Sequence, residues 1–302
     1  MPRCPRNVFR KMNPSRLTSP RLGLVAALAG LTILVSVPPL TVAGADLPAR
    51  AASPAASSDK TAAFVAQFAV ATGIKLVKIP AGSFTMGSAA GKGVNFEDEV
   101  PQTKVTLTKD FYLGANAVTQ GQYEAVTGTN PSAFKNAGPD APVESLTWAE
   151  AVAFCKKLTE RERMAGRLPA GLAFALPTEA QWEYACRAGT TDSTAGNLDA
   201  MAWYDKNSGK TTHPVGQKFP NAWGLYDMNG NVSQWCADWY GPYPGNGATD
   251  PTGPETGVGH INRGGGWCDG AELCRPATRF YSSPELRLNF LGFRVALVAT
   301  GK

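Results

Sequence analysis

The sequence predicts an irregular α+β domain in which regular elements are short and loops are long. Glycine and proline are frequent, with 32 and 23 of 302 residues, and both residue types interrupt helices and strands. Few segments keep a helical or a strand period over many residues, yet two helices carry complete start signals. In such a domain, functional residues are expected in loops that a modest scaffold positions.

The two helices are predicted from capping boxes, in which a threonine side chain and a later Glu or Gln satisfy each other's backbone amides. Thr147 with Glu150 predicts a helix that begins at residue 148. Thr178 with Gln181 predicts a second one, which carries Trp182 on its apolar face.

Shorter elements have weaker signals. Residues 76–79 and 104–107 are typical of short strands, the glycine-rich region 82–93 of turns, and residues 62–71 of a short helix. We expect one large domain over residues 74–302.

The first 45 residues have the pattern of a secretory signal peptide. A head with six basic and no acidic residues precedes an apolar run at 22–37 and a small-residue cleavage pattern at 43–45. The run is shorter than the ~20 residues of a membrane-spanning helix. We therefore expect a secreted or periplasmic protein with no membrane span after the signal is removed.

Residues 46–73 are rich in alanine, serine and proline and are predicted to be a linker. Removal of residues 1–45 leaves 23 basic against 24 acidic residues, so the mature chain is close to neutral. Because no basic patch stands out, nucleic acid is excluded as a partner. We expect a monomer.

Five cysteines remain after position 45, an odd number, so at least one thiol should stay reduced or bind something. Cys268 and Cys274 follow three consecutive glycines at 264–266, which let the backbone pass close to other groups. The two thiols could form a soft-metal site, a redox pair or a disulfide, and their spacing alone favours a structural disulfide.

Several motifs occur in an order that resembles the formylglycine-generating enzyme family, also called the sulfatase-modifying factor family. They are IPAGSFTMGS (79–88), VTQGQY (118–123), PVESLTW (142–148), LPTEAQWEYA (176–185), GLYDMNGNV (224–232), RGGGWC (263–268) and LGFR (291–294). The resemblance implies an irregular fold, low in regular secondary structure and related to the C-type lectin fold.

The resemblance also implies an oxidoreductase that uses O₂ and Cu(I) to oxidise a cysteine in a Cys-x-Pro-x-Arg segment of an unfolded, exported polypeptide such as a sulfatase. Cys268 and Cys274 would be the catalytic, copper-binding thiols, since thiolates are soft ligands that suit Cu(I). Trp267 would contact the cofactor. The enzymes of the family separate the two thiols by four residues, whereas five separate them here.

The segment 227–234 resembles a calcium loop of the family. The ligands would be Asp227, Gly230, Val232 and Gln234, although Gln234 stands where a glutamate is usual. Oxygen donors suit such a hard cation. The alternative is a turn at residues 229–230 whose polar groups are satisfied by the protein itself.

Two further predictions concern the remaining cysteines and the function. Cys155 and Cys186 are expected to be buried thiols, whereas Cys236 could form a disulfide with Cys274. The alternative function is a non-catalytic ligand- or peptide-binding module, whose stacking surface would come from Trp223, Trp235, Trp239, Tyr240, Tyr243, Trp267 and Tyr281. His260 is expected to be more exposed than His213.

Overall fold

A computed structural model describes residues 54–89, 97–191 and 197–301, with side chains from residue 59 onward. The predicted signal peptide, residues 1–45, lies outside the described residues. Residues 58–302 form one compact unit. No helix among the described residues is long and apolar enough to cross a membrane.

The architecture is α+β, as predicted. The helices are α1 (Pro54–Thr72), α2 (Gln120–Thr127), α3 (Trp148–Met164), α4 (Glu179–Arg187) and α5 (Leu198–Met201). The strands are β1 (Leu76–Ile79), β2 (Gly82–Met86), β3 (Thr103–Leu107), β4 (Phe111–Gly114), β5 (Leu172–Ala175), β6 (Ser233–Trp239), β7 (Ala248–Thr249), β8 (His260–Arg263), β9 (Arg279–Ser282), β10 (Leu291–Phe293) and β11 (Ala296–Ala299). Short 3₁₀ turns lie at Glu97–Glu99, Lys135–Ala137 and Ala271–Leu273.

The strands of the described residues form three small sheets. Their strand orders are β1-β4-β11-β5, β10-β6-β8-β9 and β2-β3-β7. The β10–β6 and β3–β7 pairs are parallel, and the other pairs are antiparallel. The parallel pair β10–β6 joins residues 291–293 to residues 233–235, so the second sheet depends on contacts between distant parts of the chain.

Both predicted capping boxes are confirmed. The Thr147 side chain accepts from the Glu150 amide, and the Thr178 side chain accepts from the Gln181 amide, with the reciprocal bonds present in both cases. A third box, formed by Thr119 with Gln122, starts α2 and was not recognised in the sequence.

Two sequence predictions are wrong. The linker predicted over 46–73 is helical from Pro54, because its alanines favour a helix and Phe64 and Phe68 pack against Phe174, with 4.8 Å between the ring centroids of Phe68 and Phe174. The turn region predicted from residue 82 begins instead as strand β2, which pairs along its length with β3. Residues 90–96 of that region lie outside the described residues.

Helix α4 lies in the centre of the domain and buries charged as well as apolar side chains. Glu179, Glu183 and Arg187 recur every four residues and so share one face. Glu183 and Arg187 form an ion pair at 2.8 Å, Arg263 also pairs with Glu183, and Arg279 pairs with Glu179 at 2.7 Å. These pairs connect the helix to β8 and β9.

Trp182, beside Glu183 on α4, is fully buried in the apolar core. Its indole Nε1 donates to Gln234 Oε1 at 2.8 Å, and the Arg263 guanidinium lies 5.3 Å from the ring centroid. The prediction that this residue faces the core is therefore confirmed.

Trp182→Ala should lower the free energy of unfolding by about 3–5 kcal/mol, because a large core side chain is removed and Gln234 loses a hydrogen-bond donor. Urea unfolding of the two proteins measures the difference. Trp182→Phe keeps most of the ring volume and should cost less. An unchanged unfolding midpoint for the alanine variant would contradict the packing described.

A further buried carboxyl group, that of Asp238 in strand β6, lies at the start of α4. Asp238 Oδ2 accepts from the Glu179 amide at 2.8 Å, so Asp238 caps the helix from strand β6. Burial, and then the neighbouring Glu179 carboxylate, raise the pKa of Asp238 to about 7. Asp238 is therefore more easily protonated in the folded protein than in the unfolded chain.

A raised carboxyl pKa contributes stability that is complete below the unfolded pKa of ~3.9 and is lost as the pH rises through about 7. Asp238→Asn keeps an oxygen for the Glu179 amide but cannot ionise. Relative to the parent protein, this variant should gain stability between pH 5 and pH 8, on the order of 2–3 kcal/mol. Urea unfolding of both proteins at the two pH values tests this, and an equal difference at both would contradict it.

Candidate functional site

The candidate site is the segment from Gly264 to Thr278, which we call the cysteine loop. It leaves strand β8 through Gly264 and Gly265, whose φ angles are +98° and +72°. A Cβ at Gly264 would lie 2.6 Å from the Met228 carbonyl oxygen, and one at Gly265 would lie 2.7 Å from Cys274 Sγ. Glycine is therefore required at both positions, as the sequence predicts.

Trp267, the predicted cofactor contact, is packed into the protein and 2% exposed. Its indole Nε1 donates to the Asn289 carbonyl at 2.9 Å, and its carbonyl accepts from Ser208 Oγ at 2.7 Å. Its ring meets Phe134 edge-on at 5.2 Å. These contacts position the loop and give the indole a structural role.

Cys268 and Cys274 lie in two consecutive turns. In the first turn, Asp269 Oδ2 accepts from the Gly266 amide at 2.8 Å and the Asp269 amide donates to the Gly266 carbonyl at 3.0 Å. In the second, the 3₁₀ turn Ala271–Leu273, the Cys274 amide donates to the Ala271 carbonyl at 3.2 Å. The loop therefore brings both predicted catalytic residues to one part of the fold.

The two sulfur atoms differ in environment. Cys274 carries a thiol, is 1% exposed and packs with Ala202, Tyr204 and Leu198. Cys268 is half-buried and disulfide-bonded.

The other cysteines are buried thiols. This confirms the expectation for Cys155 and Cys186, and burial raises the pKa of both, to about 12 for Cys186. The predicted disulfide between Cys236 and Cys274 is wrong, since both residues carry thiols. Cys236 is fully buried in strand β6, and burial raises the pKa of its thiol as well.

A Cu(I) site at the cysteine loop would require two thiolates, one from Cys268 and one from Cys274. The disulfide at Cys268 occupies one of the two sulfur atoms. The donor pair in this state therefore does not fit Cu(I), and reduction of Cys268 is needed before both thiols are available. Among the described residues, no group of three or more His, Cys, Asp or Glu side chains is arranged to hold a metal ion.

The predicted calcium loop is organised around Asp227, which has a positive φ of +49° and is buried. Its Oδ2 accepts from the Gly216 amide at 2.8 Å. Its Oδ1 is one of the buried oxygens without a hydrogen-bond partner in the described part of the chain, as is Oδ1 of Asn116. Burial raises the pKa of Asp227.

Gln234 does not offer its oxygen to a cation. Its Oε1 accepts from Trp182 Nε1 and from Arg294 Nε, both at 2.8 Å, and its Nε2 donates to the Asp227 carbonyl at 2.8 Å. The buried Arg294 guanidinium also donates to the Tyr226 carbonyl at 2.7 Å. With a cationic group in this position, the donor set as a whole does not fit calcium, although Asp227 Oδ1 has no partner.

The structure does not place the predicted aromatic residues on one surface. Trp235, Tyr243 and Trp267 are buried. By contrast, Tyr240 and Tyr281 are half-buried and pair at 4.3 Å between ring centroids.

The two histidines are packed, and the expectation that His260 is more exposed than His213 is wrong. His260 is 2% exposed and stacks between Trp148 and Trp239, with centroid distances of 3.7 and 3.8 Å. His213 stacks on Trp203 at 3.8 Å. Burial lowers the pKa of His260.

Three arginines, Arg263, Arg275 and Arg279, flank the cysteine pair in the sequence, and all three have acidic partners in the structure. Arg263 and Arg279 are committed to the glutamates of α4. Arg275 binds Glu99, which lies 176 residues earlier in the chain. No local pattern around Glu99 indicated this contact.

Comparisons with known proteins show the family of this domain. The family model for the sulfatase-modifying factor enzyme 1-like domain matches residues 61–299, which begins 13 residues before the predicted domain start and includes most of α1. The formylglycine-generating enzyme of Streptomyces coelicolor is 29% identical over 291 residues, covering 73% of this chain and 88% of that protein.

Other relatives carry different names. The chaperone protein LppX of Paenibacillus barcinonensis is 33% identical over 210 residues, covering 54% of this chain and 71% of that protein. Among solved structures, Treponema denticola variable protein 1 is 32% identical with a TM-score of 0.65, covering 73% of this chain and 94% of that one. Because the family model matches more than half of the chain, the chain belongs to the sulfatase-modifying factor (formylglycine-generating enzyme) family.

Proposed function

We propose that this domain is a formylglycine-generating-enzyme-like oxidoreductase that acts on a cysteine of a protein or peptide, or on another small exported substrate. The observation that supports this proposal is the unequal pair of sulfur atoms on the cysteine loop. Cys268 is half-buried, whereas Cys274, six residues on, carries a buried thiol. The similarity to formylglycine-generating enzymes is consistent with it.

Exposure assigns distinct roles to the two residues. Cys268 is the more accessible sulfur of the pair and would form the bond to the substrate. Cys274, buried behind Gly265, would be the second thiol of the pair.

Copper would supply the O₂ chemistry that the family resemblance implies. Since the donor pair does not fit Cu(I) while Cys268 is oxidised, no step is assigned to the metal. An unfolded exported polypeptide, such as a sulfatase, is the proposed partner. Export itself is proposed from the signal-like sequence of residues 1–45.

The test uses the purified protein after mild reduction and a peptide that contains Cys-x-Pro-x-Arg. We expect the peptide to lose its thiol in an O₂-dependent reaction, measured by mass spectrometry, and one Cu(I) to be bound in a competition assay. Cys268→Ser and Cys274→Ser should each abolish both, because each removes half of the thiolate pair. Cys186→Ser removes a buried thiol outside the loop and should retain both. Peptide consumption that persists in Cys268→Ser would contradict the proposal.

The alternative is a non-catalytic ligand- or peptide-binding module, and the half-buried Tyr240–Tyr281 pair favours it. The two rings lie 4.3 Å apart, and the Arg279 guanidinium lies 5.0 Å from the Tyr240 centroid. Adjacent aromatic rings at a surface can stack against a ligand. If the protein is such a module, Tyr281→Ala should weaken peptide capture, whereas Cys268→Ser should not.

Calcium binding is tested separately. Because Gln234 and Arg294 are satisfied by each other, we expect millimolar Ca²⁺ to leave the melting temperature of chelator-treated protein unchanged. A ligand that binds only the folded state would raise it. A rise that Asp227→Asn abolishes would contradict this expectation and would show that the unpartnered Asp227 oxygen binds the ion.

A further inference from the structure

The position of Cys274 depends on the residue that follows it. Cys274 ends the 3₁₀ turn with φ −92° and ψ 52°, outside the regular helical and strand conformations. The Arg275 Nε donates back to the Glu272 carbonyl at 2.7 Å, so the arginine side chain closes the same turn. A fixed Arg275 side chain therefore fixes the backbone at Cys274.

Arg275 is fixed in turn by Glu99 through a bidentate ion pair. Its Nη1 donates to Oε2 at 3.0 Å and its Nη2 donates to Oε1 at 2.5 Å. The side chains are 7% and 0% exposed. A two-bond pair of this kind sets orientation as well as distance, and a lysine could not reproduce it.

Glu99 is itself held on both its side chain and its backbone. Ser88 Oγ donates to Glu99 Oε2 at 2.7 Å, and the Ser88 amide donates to the Glu99 carbonyl at 3.0 Å. Gly87, which precedes Ser88, has φ +89°, and a Cβ added to Gly87 would lie 2.3 Å from the Glu99 carbonyl oxygen. The close approach of the two segments therefore requires glycine.

Gly87 connects this arrangement to helix α4. Its amide donates to Glu183 Oε1 at 2.9 Å, and its carbonyl accepts from Arg187 Nη2 at 3.1 Å. A continuous series of contacts thus runs from the central helix through Gly87 and Glu99 to Arg275.

We infer that Glu99 is a positioning residue for Cys274, because its buried bidentate bond to Arg275 holds the turn that ends at this cysteine. The inference rests on the proposed function for its relevance to catalysis, but the geometric claim can be tested alone. Removing one partner leaves the other charge buried and unpaired. The first consequence is local opening of the second turn of the cysteine loop.

The experiment measures the alkylation rate of each thiol in the full, folded chain with iodoacetamide, resolved by peptide mass spectrometry. In Glu99→Gln, Cys274 should react at least about tenfold faster, because the turn opens more often. Cys155 is buried on α3, outside this series of contacts, and serves as the internal reference, so its rate should stay within about twofold of the parent protein. Glu99→Asp keeps the charge and should restore part of the protection.

The matched control is Asp110→Asn, which removes a carboxylate from an exposed ion pair with Lys78 and should leave all rates unchanged. An unchanged Cys274 rate in Glu99→Gln, or equal acceleration of Cys274 and Cys155, would overturn the inference. If Glu99→Gln does not fold, Arg275→Lys decides, since it keeps the charge but loses the two-bond geometry. The alkylation experiment needs no substrate, so its result does not depend on peptide turnover. The proposed function can fail while Glu99 still protects Cys274.

Discussion

Buried guanidinium groups hold this domain together where regular secondary structure is sparse. Arg263 and Arg279 pair with Glu183 and Glu179 of the central helix, and Arg294 donates to three backbone carbonyls and one side-chain amide. A guanidinium has five donors in a rigid plane, so one side chain can satisfy several oxygens from different loops. These contacts hold the loops that carry the candidate site in place.

The sequence predicted the elements that have local signals and missed those that depend on distant partners. The capping boxes at Thr147 and Thr178 act within four residues and were recognised. The strands predicted at 76–79 and 104–107 were also found, although the second begins one residue earlier, at Thr103. Strand β2 was missed because its glycine and serine residues resemble a turn, whereas pairing with β3 makes it a strand. Helix α1 was missed in part because composition suggested a linker, and its burial against Phe174 cannot be inferred from composition.

The same distinction holds at the candidate site. The glycines that deliver Cys268 and Cys274 were apparent in the sequence, because their role is local. The placement of His260 was predicted wrongly, since the two indoles that enclose it come from α3 and β6 and only the fold brings them together. The tie between Glu99 and Arg275 spans 176 residues and has no sequence signature. The calcium hypothesis depended on residue types alone, which could not show that Gln234 is occupied by Trp182 and Arg294.

The connection between strands β10 and β11 has a consequence for biosynthesis. Residues 291–293 pair with β6 in one sheet, and residues 296–299 pair with β4 and β5 in another, so two residues separate strands that complete different sheets. Neither sheet can be completed until the ribosome has synthesised this short segment. Two of the three described sheets therefore stay incomplete until nearly the whole domain has been made.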